Sequence, residues 1–220
     1  MPRYTSGSKE IDEILGGGYR AGRLLIVYGR SNSGKSQLAM QAVLFAARQK
    51  TRSLYIDTEG AFRPERIEEM ARSRGWQPEP LLNRIVYFRC DSATMQAETV
   101  RQLSLRKETA DCGLVVVDTL TKNFTLDLPG SDNMPGRQGA LDAHLSEMSR
   151  DAFLHGRAYL LTNRVTFDRA NLDIGIGGST VAQLVHDSVH LSREGGMIRV
   201  NVSGTRRSLL VSVGAPGIGR

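Results

Sequence analysis

The stretch "GRSNSGKS", residues 29–36, fits G-x-x-x-x-G-K-[ST] at every fixed position. Glycines at 29 and 34 let backbone N–H groups turn inward around phosphate oxygens. Lys35 then reaches the β- and γ-oxygens of a triphosphate, and the Ser36 hydroxyl takes a place on Mg²⁺. Gly29, Arg30, Ser31, Asn32, Ser33, Gly34, Lys35, Ser36 and the following Gln37 are therefore read as nucleotide-binding. A glycine turn with a stray lysine is the bland alternative, and an apolar strand before the loop with a helix after it argues against that. Asp118 closes the run "GLVVVD", where a carboxylate holds the water shell of Mg²⁺. Hydrolysis also needs a carboxylate that orients and polarises the attacking water. Glu59, closing "YIDTEG", stands at the end of the strand after the first helix, on the edge where the loop lies. Asp57 points to the same face but deeper. Taken alone, a Glu at a strand end is a solvated rim residue or a helix cap.

These residues need a sheet to bring them together. "RLLIVYG" (23–29), "SLYIDTE" (53–59), "IVYFRCD" (85–91), "GLVVVDT" (113–119) and "AYLLTN" (158–163) are apolar on both faces, as buried parallel strands are. Helix patterns lie between them, at 35–49, at "PERIEEMARSR" with Pro64 in its first turn, at 94–110 and at about 137–155. The alternation predicts an α/β fold, a mostly parallel central sheet with helices on both faces. "SVHLSRE", "MIRVNVSG" and "RSLLVSVG" follow after 185, with "EGG" as a hairpin turn, and predict a C-terminal antiparallel extension. Two long loops, 121–139 and 164–178, each follow a central strand on the edge where open α/β sheets bind ligands. The chain reads as one domain over residues 1–220.

The 220 residues suffice for one α/β domain with a sizeable core. The longest apolar runs fall far short of the roughly 20 residues of a membrane helix. "MPRYTSGSKE" has no apolar signal region, and a cytoplasmic, nucleoid-associated protein is expected. Cys90 and Cys112 lack metal-ligand spacing and read as buried free thiols. Net charge is +6, and five lysines among the 29 basic residues leave 29 − 5 = 24 arginines. Arginine pairs bidentately with phosphate and suits nucleic-acid backbones; a GC-rich genome or a hot habitat enriches it as well.

At "YIDTEGAFRPERI" (55–67) the sequence closely resembles the RecA/RadA recombinase superfamily. "TSGSKEIDEILGGGYRAG" (5–22) resembles the segment that opens the ATPase core of archaeal RadA. "VVVDTLTKNFTLDLPGSDNMPGRQGALDAHL" (115–145) resembles its Walker B strand, first DNA-binding loop and following helix. "LLTNRV" (160–165) and "GIGG" (175–178) resemble the strand and ending of the second DNA-binding loop. The likeness implies a RecA-like P-loop ATPase core that uses ATP and Mg²⁺. Carried over by position, Glu59 is the water-activating base, Lys35 its catalytic companion, and Arg66 a residue stacking near the adenine. Arg137, Arg164 and Arg169 fall in the DNA-facing loops, and single-stranded DNA is the implied ligand. Arg206 and Arg207 lie where RadB-type proteins carry basic residues, and are either DNA contacts or a solvated turn.

Three departures qualify the likeness. No linker precedes Tyr4, so a core-only RadA paralogue of the RadB kind is expected, a monomer or small oligomer rather than a filament. Arg164 stands where the family typically has the Gln that senses the γ-phosphate; an outward, DNA-facing side chain is the favoured reading, against an inward one or a pair with Asp168. The loop 164–178 is short, and Ser131 replaces an often-present arginine. The implied role is a weak, DNA-dependent ATPase in recombination and repair that modulates a full-length RadA-type recombinase. Rival readings are a non-enzymatic mediator with ATP as a structural ligand, a clock-protein-like phosphotransferase, and, less favoured, a replicative helicase. His144, His155, His186 and His190 have no ligand spacing and read as packing or surface residues. Trp76 reads as the anchor of a helix-to-strand connection.

Overall fold

A computed structural model describes residues 1–130, 132–167, 173–175, 181, 183–204 and 207–219. The chain opens with β1 (Arg3–Tyr4), α1 (Lys9–Ile14) and β2 (Tyr19–Arg20), a small antiparallel pair with one helix. Then β3 (Leu24–Gly29), α2 (Lys35–Arg48), β4 (Arg52–Asp57), α3 (Pro64–Arg72), α4 (Glu79–Leu82) and β5 (Ile85–Arg89) alternate. They are followed by α5 (Ala93–Arg101), β6 (Cys112–Asp118), α6 (Lys122–Asp127), α7 (Met134–His155) and β7 (Ala158–Asn163). The short pair β8 (Val165–Phe167) and β9 (Asp173–Gly175) precedes β10 (Asp187–Glu194), β11 (Met197–Val202), β12 (Ser208–Gly214) and β13 (Gly217–Gly219).

Nine strands make the main sheet, in the order β13-β12-β11-β10-β3-β7-β6-β4-β5. The neighbours from β10 to β5 run parallel, and β10 to β13 are antiparallel hairpin neighbours. Apolar residues alternate between two cores, as the period of a strand requires. Leu25, Val27, Tyr55, Leu114, Val116 and Leu160 pack beneath α2 and α3. Leu24, Ile26, Leu54, Ile56, Val115, Val117 and Leu161 pack against α5 and α7 on the other face. A strand that is buried on both sides has no polar face to display, hence the continuous apolar runs.

Two boundaries differ from expectation. The helix expected over 94–110 ends at Arg101. There Leu103 is buried, Thr109 Oγ1 donates to the Leu103 carbonyl (2.7 Å), and the turn presents the Thr109 and Ala110 carbonyls to the Arg157 guanidinium. The loop expected over 121–139 is largely helical: α6 buries Phe124, and α7 starts at Met134 with Pro135 in its first turn. Cys90 and Cys112 are buried free thiols, and burial raises both, Cys112 to about 11. Trp76 packs edge-on against Phe45, with Arg48 and Arg74 over its ring. Among the described residues, no helix is long and apolar enough to cross a membrane.

Candidate nucleotide site

Strand order decides which residues meet. At the edge where the parallel strands end, β3, β7, β6 and β4 deliver Gly29, Asn163, Asp118 and Asp57 side by side. Gly29 is required by close approach: a Cβ there would lie 2.2 Å from the Leu191 carbonyl of β10. Gly34 has φ +99°, and a Cβ would meet Ile198 Cδ1 at 2.4 Å. The turn between them closes with the Ser33 N–H on the Arg30 carbonyl (3.2 Å).

Gly34 caps α2 without a side-chain hydrogen bond, so the first N–H groups of this 14-residue helix face a cleft unpaired by any cap. The cleft, of about 600 Å³, is lined by Asn32, Gly34, Lys35, Ser36, Gln37 and Arg193. Lys35 Nζ donates to the carbonyls of Gly29 (2.9 Å) and Arg30 (2.7 Å). Burial lowers the Lys35 amine, with Arg164 pushing the same way and Asp118 and Glu59 opposing. Arg193, from β10, donates Nε to the Asn32 carbonyl (3.0 Å) and brings a second cation to the cleft. It was not found in the sequence, because only the β3–β10 pairing brings the strand against the loop.

Asp118 is fully buried and accepts from Tyr55 Oη (2.6 Å) and Thr162 Oγ1. Burial, reinforced by the Asp118 charge, raises the Tyr55 phenol well above its ordinary value, so it stays a donor. Ser36 and Asp118 supply a hydroxyl and a carboxylate, the oxygen donors Mg²⁺ takes when phosphates and water complete its shell. That donor set fits the ion.

Beyond β4, Asp57 Oδ1 accepts the N–H groups of Glu59 (3.0 Å), Gly60 (2.8 Å) and Ala61 (3.2 Å), and Oδ2 that of Phe62 (3.1 Å). Asp57 thus shapes the turn that carries Glu59. Thr58 and Thr119 lock this turn to the end of β6 through Thr58 Oγ1 to the Thr119 carbonyl (2.9 Å) and Thr119 N–H to Thr58 Oγ1 (2.8 Å). The Glu59 carboxylate accepts from Thr119 Oγ1 on Oε1 (3.0 Å) and from Arg164 Nη2 on Oε2 (2.7 Å). Arg164 therefore pairs with Glu59 while its side chain stays 54% exposed, an acid partner other than the Asp168 weighed from the sequence. The carboxylate lies one strand away across β6.

The other candidates scatter. Arg66 bonds Gln37 Oε1 (2.8 Å), Glu69 and the carbonyls of Gly214 (2.5 Å) and Ala215 (3.2 Å), tying α3 to the turn between β12 and β13. Arg137, half-buried on α7, donates to the Leu128 carbonyl (3.0 Å) and closes the first loop onto its helix. Arg169, Arg206, Asp168, Ser131 and residues 176–178 of "GIGG" lie outside the described residues. Arg207 is exposed beside an open depression of about 800 Å³ lined by Thr5, Asp12 and Phe45. Val202 pairs with Val189 and Asn201 with Ser208, so the turn holding Arg207 sits at the sheet edge opposite Gly29. The fold does not bring it together with Arg137 and Arg164. His186 Nδ1 accepts the Leu24 N–H (3.2 Å), and His190 stacks on Tyr28.

A parallel sheet with a glycine-bounded phosphate loop, an adjacent buried aspartate and a strand-end glutamate defines a P-loop nucleotide-binding core of the RecA/RadA type. Residues 2–205 match the Rad51 family profile, and the chain belongs to that family. It is 33% identical over 201 residues to a DNA repair and recombination protein RadA of Ignicoccus hospitalis, covering 86% of this chain and 61% of that protein. A RadA of Aeropyrum pernix is 33% identical over 188 residues, covering 83% and 58% respectively. A third, from Metallosphaera sedula, is 32% identical over 224 residues, covering 98% and 67%. The chain thus spans about three fifths of the length of the first two relatives.

Proposed function

We propose that this chain is an ATP-binding, slowly hydrolysing core that binds single-stranded DNA without sequence preference and modulates a full-length RadA-type recombinase in recombinational repair. The observation that carries the reading is the row of Lys35, Asp118 and Glu59 at one sheet edge beside an uncapped helix start. The relatives' printed role in DNA repair and recombination supports the biological setting. Loop amides and Lys35 hold the triphosphate, and Ser36 and Asp118 are the groups that would hold Mg²⁺. The ion, when bound, neutralises charge on the β- and γ-phosphates. Water oxygen bonds to the γ-phosphorus while the bridging bond to the β-phosphate breaks, its electron pair leaving with ADP. Glu59 accepts the proton of that water.

The test is a pair of variants. Lys35→Ala is expected to abolish nucleotide binding measured by calorimetry. Glu59→Gln is expected to keep binding and lower hydrolysis by about 100-fold or more, because an amide does not take the proton. Wild-type hydrolysis in Glu59→Gln removes the assignment of the base.

A further inference from the structure

Glu59 and Arg164 are 105 positions apart in the chain and meet only because β6 is the single strand between β4 and β7. Their pair occupies one carboxylate oxygen, and Thr119 occupies the other. The Thr119 contact belongs to a fixed frame, since Thr119 and Thr58 exchange two further hydrogen bonds. The Arg164 contact is the movable one. Its backbone is held by the Asn163 side chain (3.0 Å), which also accepts from Thr121 (2.7 Å), while its long side chain is 54% exposed against 18% for Glu59. The guanidinium also lies close enough to Lys35 to help lower its amine.

We infer that the Arg164–Glu59 ion pair is a latch on hydrolysis, holding the water-activating carboxylate in a resting position until a phosphate of a bound single strand draws the guanidinium away. The inference rests on the proposed role of Glu59. A carboxylate held by a hydroxyl on one oxygen and a guanidinium on the other is fixed in orientation, and the cation weakens it as a base, so losing the guanidinium frees it to turn toward water. Arginine forms its strongest pairs with phosphate in the bidentate geometry. A half-exposed ion pair is weak enough for such a competitor to win. A strand phosphate is the competitor, rather than the γ-phosphate, because Lys35 already supplies a cation at the phosphate loop and the guanidinium is open to solvent. Slow hydrolysis without DNA, and faster hydrolysis with it, then have one cause.

The experiment is single-turnover ATP hydrolysis with and without an oligothymidylate, in wild type, Arg164→Ala, Arg164→Lys and Glu59→Gln. Alanine is used because glutamine would add an amide of its own. Arg164→Ala is expected to raise the DNA-free rate by about fivefold, the equilibrium factor of an exposed ion pair, and to lose stimulation by DNA. Arg164→Lys is expected to keep most of the latch, and Glu59→Gln to stay inert with or without DNA. A second readout is independent of turnover: fluorescence anisotropy should show the salt slope of DNA binding reduced by about 0.7 in Arg164→Ala. If Arg164→Ala hydrolyses at or below the wild-type rate without DNA while Glu59→Gln is inert, the latch is wrong and the base assignment stands. If Glu59→Gln hydrolyses like wild type, the underlying reading fails instead.

Discussion

Lys35 and Glu59 illustrate what single residues do and do not announce. The phosphate loop is local: eight consecutive residues carry its glycines, its lysine and its hydroxyl, and its signature is complete in the sequence. Asp118 is legible only beside that loop, since an Asp at a strand end is commonplace by itself. The pairing of Arg164 with Glu59 is not legible, because nothing local says that one strand separates their strands. His144 carries a residue-scale prediction. It is 3% exposed, its Nε2 meets Gln96 Nε2 at 3.2 Å, and its Nδ1 has no partner among the described residues. Burial, with the Arg101 charge adding to it, pushes its pKa down from the ordinary 6.5 to about 3. As pH falls below the ordinary value, the unfolded chain takes a proton that the native state refuses, so stability is lost down to about pH 3. Between about pH 7.5 and about pH 5, wild type should lose about 2 kcal/mol from this group. Urea melts of wild type and His144→Gln at both pH values should show that component missing from the variant; equal pH sensitivity would exclude it.

Elements were legible in type more than in extent. Every central strand shows itself by an apolar run, and the hairpin after 194 by its glycines, because both signals lie in consecutive residues. The helix ends did not show, since the turns after α5 are held by a guanidinium arriving from beyond α7. Arg157, 1% exposed, pairs with Asp151 and donates to the carbonyls of Cys112 (3.0 Å) and Ala110 (3.0 Å), while Tyr159 Oη donates to Asp151 Oδ2 (2.6 Å). This network fastens the end of α7 to β6, β7 and the turns after α5. Its charges are stable only as a set: removing Asp151 leaves a buried guanidinium without its counter-charge. Asp151→Ala is therefore expected to cost about 3–5 kcal/mol in chemical denaturation, with nucleotide binding retained at low temperature, because the network stands away from the phosphate loop. A loss below about 1 kcal/mol would mean that the guanidinium reaches water in the native state.

The whole molecule carries a net charge of +6, and the sheet decides where that charge can act together. Arg164 directly follows β7 at the edge where the parallel strands end, and Arg137 lies in the first turn of α7, on the connection that leaves β6 at that same edge. Arg207 stands at the other edge, more than the length of a strand away. A single strand crossing the nucleotide edge would meet the first two and miss the third. Each phosphate neutralised releases counterions, and for single strands the logarithmic slope is about −0.7 per contact. Two contacts give a slope of about −1.4, or a loss of roughly sevenfold in affinity between about 50 and about 200 mM salt. Arg137→Glu should weaken oligonucleotides of every sequence by a similar factor, since a backbone contact carries no base information. Arg207→Glu should leave affinity nearly unchanged, although it alters net charge by the same two units, because only charges on the bound edge exchange counterions with the strand. Anisotropy titrations of both variants against oligonucleotides of mixed sequence separate local contact from global charge. Equal weakening by the two variants would assign binding to the net field of the molecule, and a larger effect of Arg207→Glu would move the strand to the opposite edge.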